Sequence, residues 1–178
     1  MKLPSRNEAI AMLKEYGMPD NIYAHTMQVN KVANYLAEKM RKNGRTINLE
    51  LVDRASLLHD LDKHLTLETG NHSELTREIL AEKGFPELAD AAASHMLENV
   101  SKRRGLNSIE EKIVYYADKR VNHDKIVSLT ERFEYLKKRY GSTELRLKEI
   151  EKFESGCRQL ERQLMKISGA DATLKELK

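Results

Sequence analysis

The sequence predicts an all-α protein, and two observations favour that fold class. Of the 178 residues, 40% are hydrophobic and 33% are charged, whereas only eight are glycine and three are proline. Such a composition is more typical of helical proteins than of all-β proteins. Apolar residues also recur at intervals of three and four, the spacing that places them on one face of an α-helix. We therefore expect one helical bundle, followed by a long amphipathic helical extension.

Capping motifs and apolar stripes predict where the helices of the bundle lie. Ser5 is followed three residues later by Glu8, and Ser108 by Glu111. In this arrangement the serine hydroxyl and the glutamate carboxylate cap free backbone amides at a helix start. Between the two motifs we predict helices over about 22–41, from Asn48 to about Leu61, from Asn71 or Ser73 to Gly84, and from Pro86 to Met96.

The pattern becomes longer and more charged after residue 124. Apolar residues recur from Ile126 to Ile167, with an interruption at Gly141 and Ser142. This spacing predicts helices packed lengthwise, either on the bundle or on a second copy of the chain in a homodimer. We assign residues 1–124 to the main domain, 125–168 to the extension and 169–178 to a flexible tail, which has little apolar material.

Composition also restricts the expected cellular location and the expected binding partners. The single Cys157 cannot form an internal disulfide, so we expect a reducing, cytoplasmic environment. We expect neither a secretion signal nor a membrane-spanning segment, since no apolar run is long enough. The net charge of +3 is small beside 31 basic and 28 acidic residues, and the basic loop 102–104 is short. Nucleic acid is therefore not an expected partner.

Six side chains at inward-facing or helix-end positions predict a metal site. His59 and Asp60 directly follow an apolar helical run, and His25 lies on the same helix face as Val29 and Val32. An unpaired imidazole on such a face would be costly to bury, so these residues need a shared partner. In chain order the six candidates are His25, His59, Asp60, His72, His95 and Asp118.

The donor types restrict the metal. Imidazole nitrogen with carboxylate oxygen and no sulfur suits iron, manganese, cobalt, nickel or zinc better than magnesium or calcium. Six ligands exceed what one ion ordinarily takes from protein while leaving a position for substrate, so we expect two ions bridged by a carboxylate and a water. For a single histidine, a structural role with a backbone carbonyl is the default, and we assign His64 and His123 to that class.

The ordered set of six resembles the HD-domain metal-dependent phosphohydrolases over residues 20–125. The segment 59–63, His-Asp-Leu-Asp-Lys, is similar to the HDIG-type motif of that family, with Asp62 where glycine is usual. The resemblance implies that Asp60 bridges a first metal to a second one held by His72 and His95. The implied ligands of the first metal are His25, His59, Asp60 and Asp118.

The resemblance also implies the reaction, which is hydrolysis of a nucleotide or another small phosphate ester by a metal-bridged water. Asp60 and Lys63 would be the catalytic residues, with Lys63 donating a charge-assisted hydrogen bond to a phosphate oxygen. Arg77 and the loop 102–104 are further candidates for holding an anion. Of the two cations that follow Asp118, at most one is expected to face the cleft.

Two alternatives stay open on the sequence. Some HD-domain relatives hold a mixed-valent di-iron centre and oxidise their substrates with oxygen, and the ligand pattern does not separate them from the hydrolases. The metal could also stabilise a non-enzymatic interaction module, whose C-terminal apolar stripe would bind a partner or another copy of the chain.

Overall fold

Eight α-helices form most of the described part of the chain, which comprises residues 1–66, 73–102 and 105–177 of a computed structural model. They are α1 (Arg6–Glu15), α2 (Asp20–Lys42), α3 (Leu49–Leu58), α4 (Glu74–Glu82), α5 (Pro86–Ala93), α6 (Ile109–Lys119), α7 (Leu129–Tyr140) and α8 (Glu144–Ser168). Two short 3-10 helices cover Leu97–Ser101 and Lys175–Leu177. The prediction of an all-α bundle is confirmed.

The helix starts follow the predicted caps. Glu8 donates its amide to the Ser5 hydroxyl at 3.2 Å and accepts the Ser5 amide at 2.6 Å, which completes the capping box. Ser108 caps α6 in the same way, although Glu111 accepts the amide of Asn107 instead of that of Ser108. Because each cap satisfies amides that the first helical turn leaves free, it fixes where the helix begins.

Two helix ends differ from the prediction, and both differences matter for function. We predicted that α3 reaches about Leu61 and that α5 reaches Met96, but the helices end at Leu58 and Ala93. His59 and His95 therefore lie just beyond helix ends instead of inside the helices. The physical reason is given below with the hydrogen bonds of their rings.

Two apolar clusters hold the bundle together. One combines α2 and α6 with α7 and α8, and Leu36, Phe133 and Leu164 are buried in it. The other combines α1, α3, α4 and α5, with Leu13 and Leu88 among its buried members. The C-terminal helices thus pack on the core, and self-association through them stays a prediction. In the described ranges, no helix has the length and the apolar character needed to cross a membrane.

The segment after α8 also contacts the core. Ala170 and Leu174 are buried, the ammonium of Lys31 donates to the carbonyl of Leu177 at 2.8 Å, and Lys39 pairs with Glu176 at 3.2 Å. The sequence analysis did not foresee these contacts. The flexibility of this tail and the domain boundary at residue 124 stay predictions.

A small antiparallel hairpin joins α6 to α7. Its strands, β1 (Val121–Asn122) and β2 (Lys125–Ile126), have only two residues each, too few to show an alternating pattern in the sequence. The fully buried Arg120 donates its Nε to the carbonyl of Val127 at 2.7 Å, and Arg132 of α7 donates to the Asn122 side chain at 2.9 Å. These bonds fix the hairpin against the first turn of α7.

A buried carboxylate on α3 connects the first three helices. Asp53 is 7% exposed, and it accepts side-chain amides from Asn30 at 3.1 Å and Asn34 at 2.8 Å. It also contacts the guanidinium groups of Arg6 and Arg54. Burial would raise the pKa of Asp53, but the hydrogen bonds from Asn30, Asn34 and Arg6 outweigh it and hold that pKa below its usual range.

We expect Asp53→Asn to lower the free energy of unfolding by about 1–3 kcal/mol at neutral pH, because charge-assisted bonds to a buried group are lost. Since the folded-state pKa is depressed, this stabilisation exists above the ordinary carboxyl pKa and disappears as the pH falls through the folded-state value. Denaturant unfolding at several pH values should show the wild type and the variant converging in acid. Glu151→Gln, at an exposed carboxylate of α8, is the control, and a pH-independent difference would contradict the assignment.

Candidate metal centre

Five of the six predicted ligands meet at the centre of the bundle. His25 lies on α2, His59 and Asp60 follow α3, His95 follows α5, and Asp118 lies in the last turn of α6. None of the five is more than 6% exposed. The sixth, His72, lies outside the described residues. The roles of all six as ligands stay predictions.

The two carboxylate oxygens of Asp60 face different imidazoles. Its Oδ2 lies 3.8 Å from Nε2 of His25 and 3.6 Å from Nε2 of His59, whereas its Oδ1 lies 3.5 Å from Nε2 of His95. Oδ1 of Asp118 completes the first group, at 3.0 Å from Nε2 of His25 and 3.8 Å from Nε2 of His59. A carboxylate in this position can bridge two ions.

All three imidazoles are oriented by backbone carbonyls. Each ring directs Nδ1 at a carbonyl oxygen, which only an N–H can satisfy, so in the neutral ring the lone pair is on Nε2. For His59 and His95 the acceptor belongs to the last turn of the preceding helix, a carbonyl that the helix itself leaves free. The Nδ1–O pairs are His25 with His123 at 2.8 Å, His59 with Ser56 at 2.8 Å, and His95 with Ala92 at 2.9 Å.

These bonds explain why α3 and α5 end earlier than predicted. In both helices the histidine follows the acceptor residue by three positions, and its ring bonds to a carbonyl of the terminal turn. The side chain is thereby turned back over the helix end, which brings its Nε2 to the centre of the bundle. A continued helix would direct the same ring along its apolar stripe.

The centre places acceptor atoms opposite acceptor atoms. The lone pairs of the imidazoles face Asp60 and Asp118, and Nε2 of the fully buried His59 has no hydrogen-bond partner among the described residues. Burial lowers the pKa of His59, although the two carboxylates act in the opposite direction, so protonation of this ring is disfavoured. A divalent transition metal satisfies such a donor set, and the residues fit the expected ion.

Lys119 contacts two residues of the candidate metal centre. This lysine is 5% exposed, donates to the carbonyl of His95 at 2.7 Å and contacts the carboxylate of Asp118. Burial would raise the pKa of Asp118, but the neighbouring Lys119 ammonium outweighs it and holds that pKa well below its usual range. Arg120 points away, to Tyr116 and Val127. Sequence reasoning considered Lys119 only for the cleft, because its contact with His95 is long-range.

Lys63 lies at the edge of the centre. Its ammonium is 2.5 Å from Oδ2 of Asp60, and 39% of its side chain is exposed. Burial acts to lower the pKa of Lys63, but the carboxylates of Asp60 and Asp118 outweigh it and keep the pKa above the ordinary lysine value. Lys63 therefore carries a positive charge. This charge contacts the carboxylate of Asp60, and an incoming anion can also reach it.

Asp62, the departure from the usual motif, has a structural role. Its buried carboxylate accepts the amides of Ser73 at 2.7 Å and Thr76 at 3.2 Å, and its own amide donates to the hydroxyl of Thr76 at 3.2 Å. A negative charge at a helix N-terminus is favourable, so Asp62 caps α4 from a distance. Sequence reasoning missed this role because Asp62 lies eleven residues before Ser73, the N-cap residue of α4.

The ring of His64 bonds to a backbone carbonyl, as predicted, whereas no such bond is found for the ring of His123 among the described residues. Nε2 of His64 is 2.7 Å from the carbonyl of Tyr16, and His123 serves the centre through its backbone carbonyl rather than its ring. The ring of His123 instead contacts Tyr135 edge-on, with centroids 5.4 Å apart. The hairpin turn therefore determines the orientation of His25.

Two cavities lie in the surroundings of the centre. One, of about 290 Å³, is lined by His25 and Lys63 and continues along α7. The other, of about 510 Å³, is lined by Arg77 and Lys102, two of the predicted anion-binding residues. In it Arg77 pairs with Asp90 at 3.2 Å and Lys102 with Glu98 at 3.3 Å, and its described lining contains none of the five ligands. Residues 103 and 104 of the basic loop lie outside the described ranges.

Comparison with known proteins gives consistent matches. The family model of the HD domain matches residues 22–122. An uncharacterized protein from Methanocaldococcus jannaschii is 29% identical over 155 residues, which cover 80% of this chain and 90% of that protein. A tRNA (cytidine(56)-2'-O)-methyltransferase from Picrophilus torridus is 27% identical over 169 residues, 87% of this chain but 48% of that protein.

A solved structure has the same fold. It comes from an uncultured Thermotogales bacterium and is described as a predicted HD superfamily hydrolase. The TM-score is 0.50, the sequence identity is 22%, and the likeness covers 92% of each chain. The C-terminal helices, which the family model does not include, are therefore part of a fold found elsewhere.

We expect Asp60→Ala to lose all bound metal, since its two oxygens face both groups of imidazoles, whereas His95→Ala should keep about half of it. Metal-to-protein ratios by inductively coupled plasma mass spectrometry, with helicity checked by circular dichroism, measure this. His64→Ala should retain the wild-type ratio. Equal metal content in Asp60→Ala and the wild type would show that the ligands lie elsewhere.

Proposed function

The chain belongs to the HD domain family, and we propose that it is a metal-dependent phosphohydrolase acting on a nucleotide or another small phosphate ester. The observation that carries this proposal is the convergence of three imidazole Nε2 atoms on two buried carboxylates. The half-buried cation of Lys63 beside one of these carboxylates adds to it. The description of the similar Thermotogales structure as a hydrolase is in line with it.

The reaction is the addition of water to phosphorus with cleavage of the ester P–O bond, and a proton passes to the leaving alcohol. Divalent ions bound at the centre would supply positive charge that makes water a better nucleophile and stabilises the phosphoryl oxygens. Asp60 and Asp118 hold the charge of such ions in place, and the carbonyl-bound imidazoles keep the geometry fixed. Fixed charges of this kind need no reorganisation during the reaction.

Lys63 is suited to bind the phosphate. Its ammonium contacts Asp60, yet more than a third of its side chain is exposed at the 290 Å³ cavity. A phosphate oxygen that enters this cavity can accept a charge-assisted hydrogen bond from Lys63. Lys119, by contrast, has both of its contacts within the protein and is 5% exposed. The two lysines therefore have different tasks, binding the substrate and positioning Asp118.

The proposal is tested by phosphate release from a panel of nucleotides and sugar phosphates, with manganese, iron or cobalt supplied. We expect turnover that is lost in Asp60→Ala. Absence of turnover by metal-loaded wild type, or identical rates in Asp60→Ala, would disprove it. Oxygen consumption by protein purified anaerobically with iron would indicate the oxygenase chemistry instead.

Replacing the two lysines should separate their tasks. Lys63→Met should keep its metal and reduce kcat/KM by roughly 10- to 100-fold, as expected for loss of one hydrogen bond to a charged group. Lys119→Met should instead reduce the metal content, because Asp118 and the carbonyl of His95 lose their shared partner. Kinetics and metal analysis on both variants measure this, and metal loss in Lys63→Met with full retention in Lys119→Met would reverse the assignment.

A further inference from the structure

The cavity beside the metal centre has one wall that the HD domain match does not include. His25 and Lys63 line one side, and Arg132, Tyr135 and Arg139 of α7 line the other. The three α7 residues are separated by three and four positions, so they share one helix face. Since the family match ends at residue 122, this wall belongs to the C-terminal helices of the chain.

The charges of this cavity favour an anion. Lys63, Arg132 and Arg139 are cationic, and none of the described residues that line the cavity is acidic, although the chain contains 28 acidic residues. The 510 Å³ cavity is different, since Glu74, Glu98 and other acids balance its cations. A concave site lined by one sign of charge concentrates ligands of the opposite sign.

Arg132 is held in a position to donate further hydrogen bonds. One of its terminal nitrogens donates to the Asn122 side chain at 2.9 Å, which anchors the guanidinium beside the hairpin. The side chain of Arg132 is half-buried and lines the cavity. A guanidinium in this position suits a phosphate oxygen, since its planar donors match the geometry of phosphate.

Tyr135 adds an oriented aromatic surface. Its half-buried ring contacts the ring of His123 at 81° between planes and lies 5.9 Å from the Arg132 guanidinium. A fixed aromatic ring beside cationic side chains is the usual platform for a nucleic acid base. The volume of about 290 Å³ is at the lower end of ligand cavities, which is enough for a ligand of the size of one nucleotide.

We infer that α7 forms the specificity wall of the substrate cavity, and that the substrate is a mononucleotide whose base packs on Tyr135 and whose phosphate lies between Lys63 and Arg132. This inference rests on the proposed function, which leaves the kind of phosphate ester open. Water adds to phosphorus, the bond to the nucleoside oxygen breaks, and that oxygen takes up the proton. The products are a nucleoside and inorganic phosphate.

The test measures binding separately from turnover. The probes are a nucleoside 5'-methylenephosphonate, which cannot be hydrolysed at its P–C bond, and methylphosphonate, which lacks the sugar and the base. Isothermal titration of the metal-loaded, full-length wild type should show binding of the nucleoside probe at least about tenfold tighter, the size of one base-stacking contact. Tyr135→Leu should lose this preference, and Tyr135→Phe should keep it.

A matched pair of arginine variants tests the phosphate contact. Arg132→Met should weaken both probes about tenfold with unchanged metal content, whereas Arg162→Met, at an exposed position on α8, should bind as the wild type does. Metal analysis is needed because Arg132 also anchors the hairpin that orients His25. Equal affinity of the wild type for both probes, or a preference that survives Tyr135→Leu, would overturn the inference.

The outcomes distinguish this inference from the proposed function. Preferential binding of the nucleoside probe without phosphate release from any ester would disprove the hydrolase and leave the nucleotide cavity standing. Hydrolysis of nucleoside monophosphate and ribose 5-phosphate with equal kcat/KM would leave the hydrolase standing and disprove the role of Tyr135.

Discussion

The structure depends on the burial of two carboxylates and three imidazole lone pairs in one place. Charged groups are costly to remove from water unless they are paired, and acceptors facing acceptors gain nothing from one another. Two buried or half-buried cations offset this cost, since Lys63 forms an ion pair with Asp60 and Lys119 forms one with Asp118. The remaining requirement is a cation between the carboxylates and the rings. Metal binding is in this sense part of the folded arrangement and not an addition to its surface.

The ends of α3 and α5 position two side chains of the candidate metal centre. His59 and His95 each bond to a carbonyl of the turn before them, so the termination of α3 and α5 and the direction of the rings are one event. Asp62 acts similarly on the other side of the centre, since it caps α4. The backbone groups that helices leave free thus fix the geometry of the candidate metal centre, and mutation of a cap would disturb the helix end and this geometry together.

The candidate ligands could be selected from the sequence because their signals are local. A histidine next to an aspartate after an apolar run, and histidines on apolar faces, are visible in the chain itself, and the order of the set indicated the family. The cap formed by Asp62, the contact of Lys119 with the carbonyl of His95 and the packing of Leu174 join distant residues. Arg132 and Tyr135 read as part of an ordinary charged amphipathic helix, since only the fold places them beside Lys63.

The hairpin between α6 and α7 links the segment matched by the family model to the C-terminal helices. The family match ends at residue 122, and the carbonyl that orients His25 belongs to residue 123. The match to the two relatives extends over 80% and 87% of the chain, more than residues 1–122 make up. A fragment cut at the family boundary would retain the five described candidate ligands, but His25 would lose its carbonyl acceptor and α2 and α6 would lose their apolar cover. The segment matched by the family model and the C-terminal helices are thus joined by packing, and a chimaera that exchanged α7 and α8 would also alter the surroundings of the candidate metal centre.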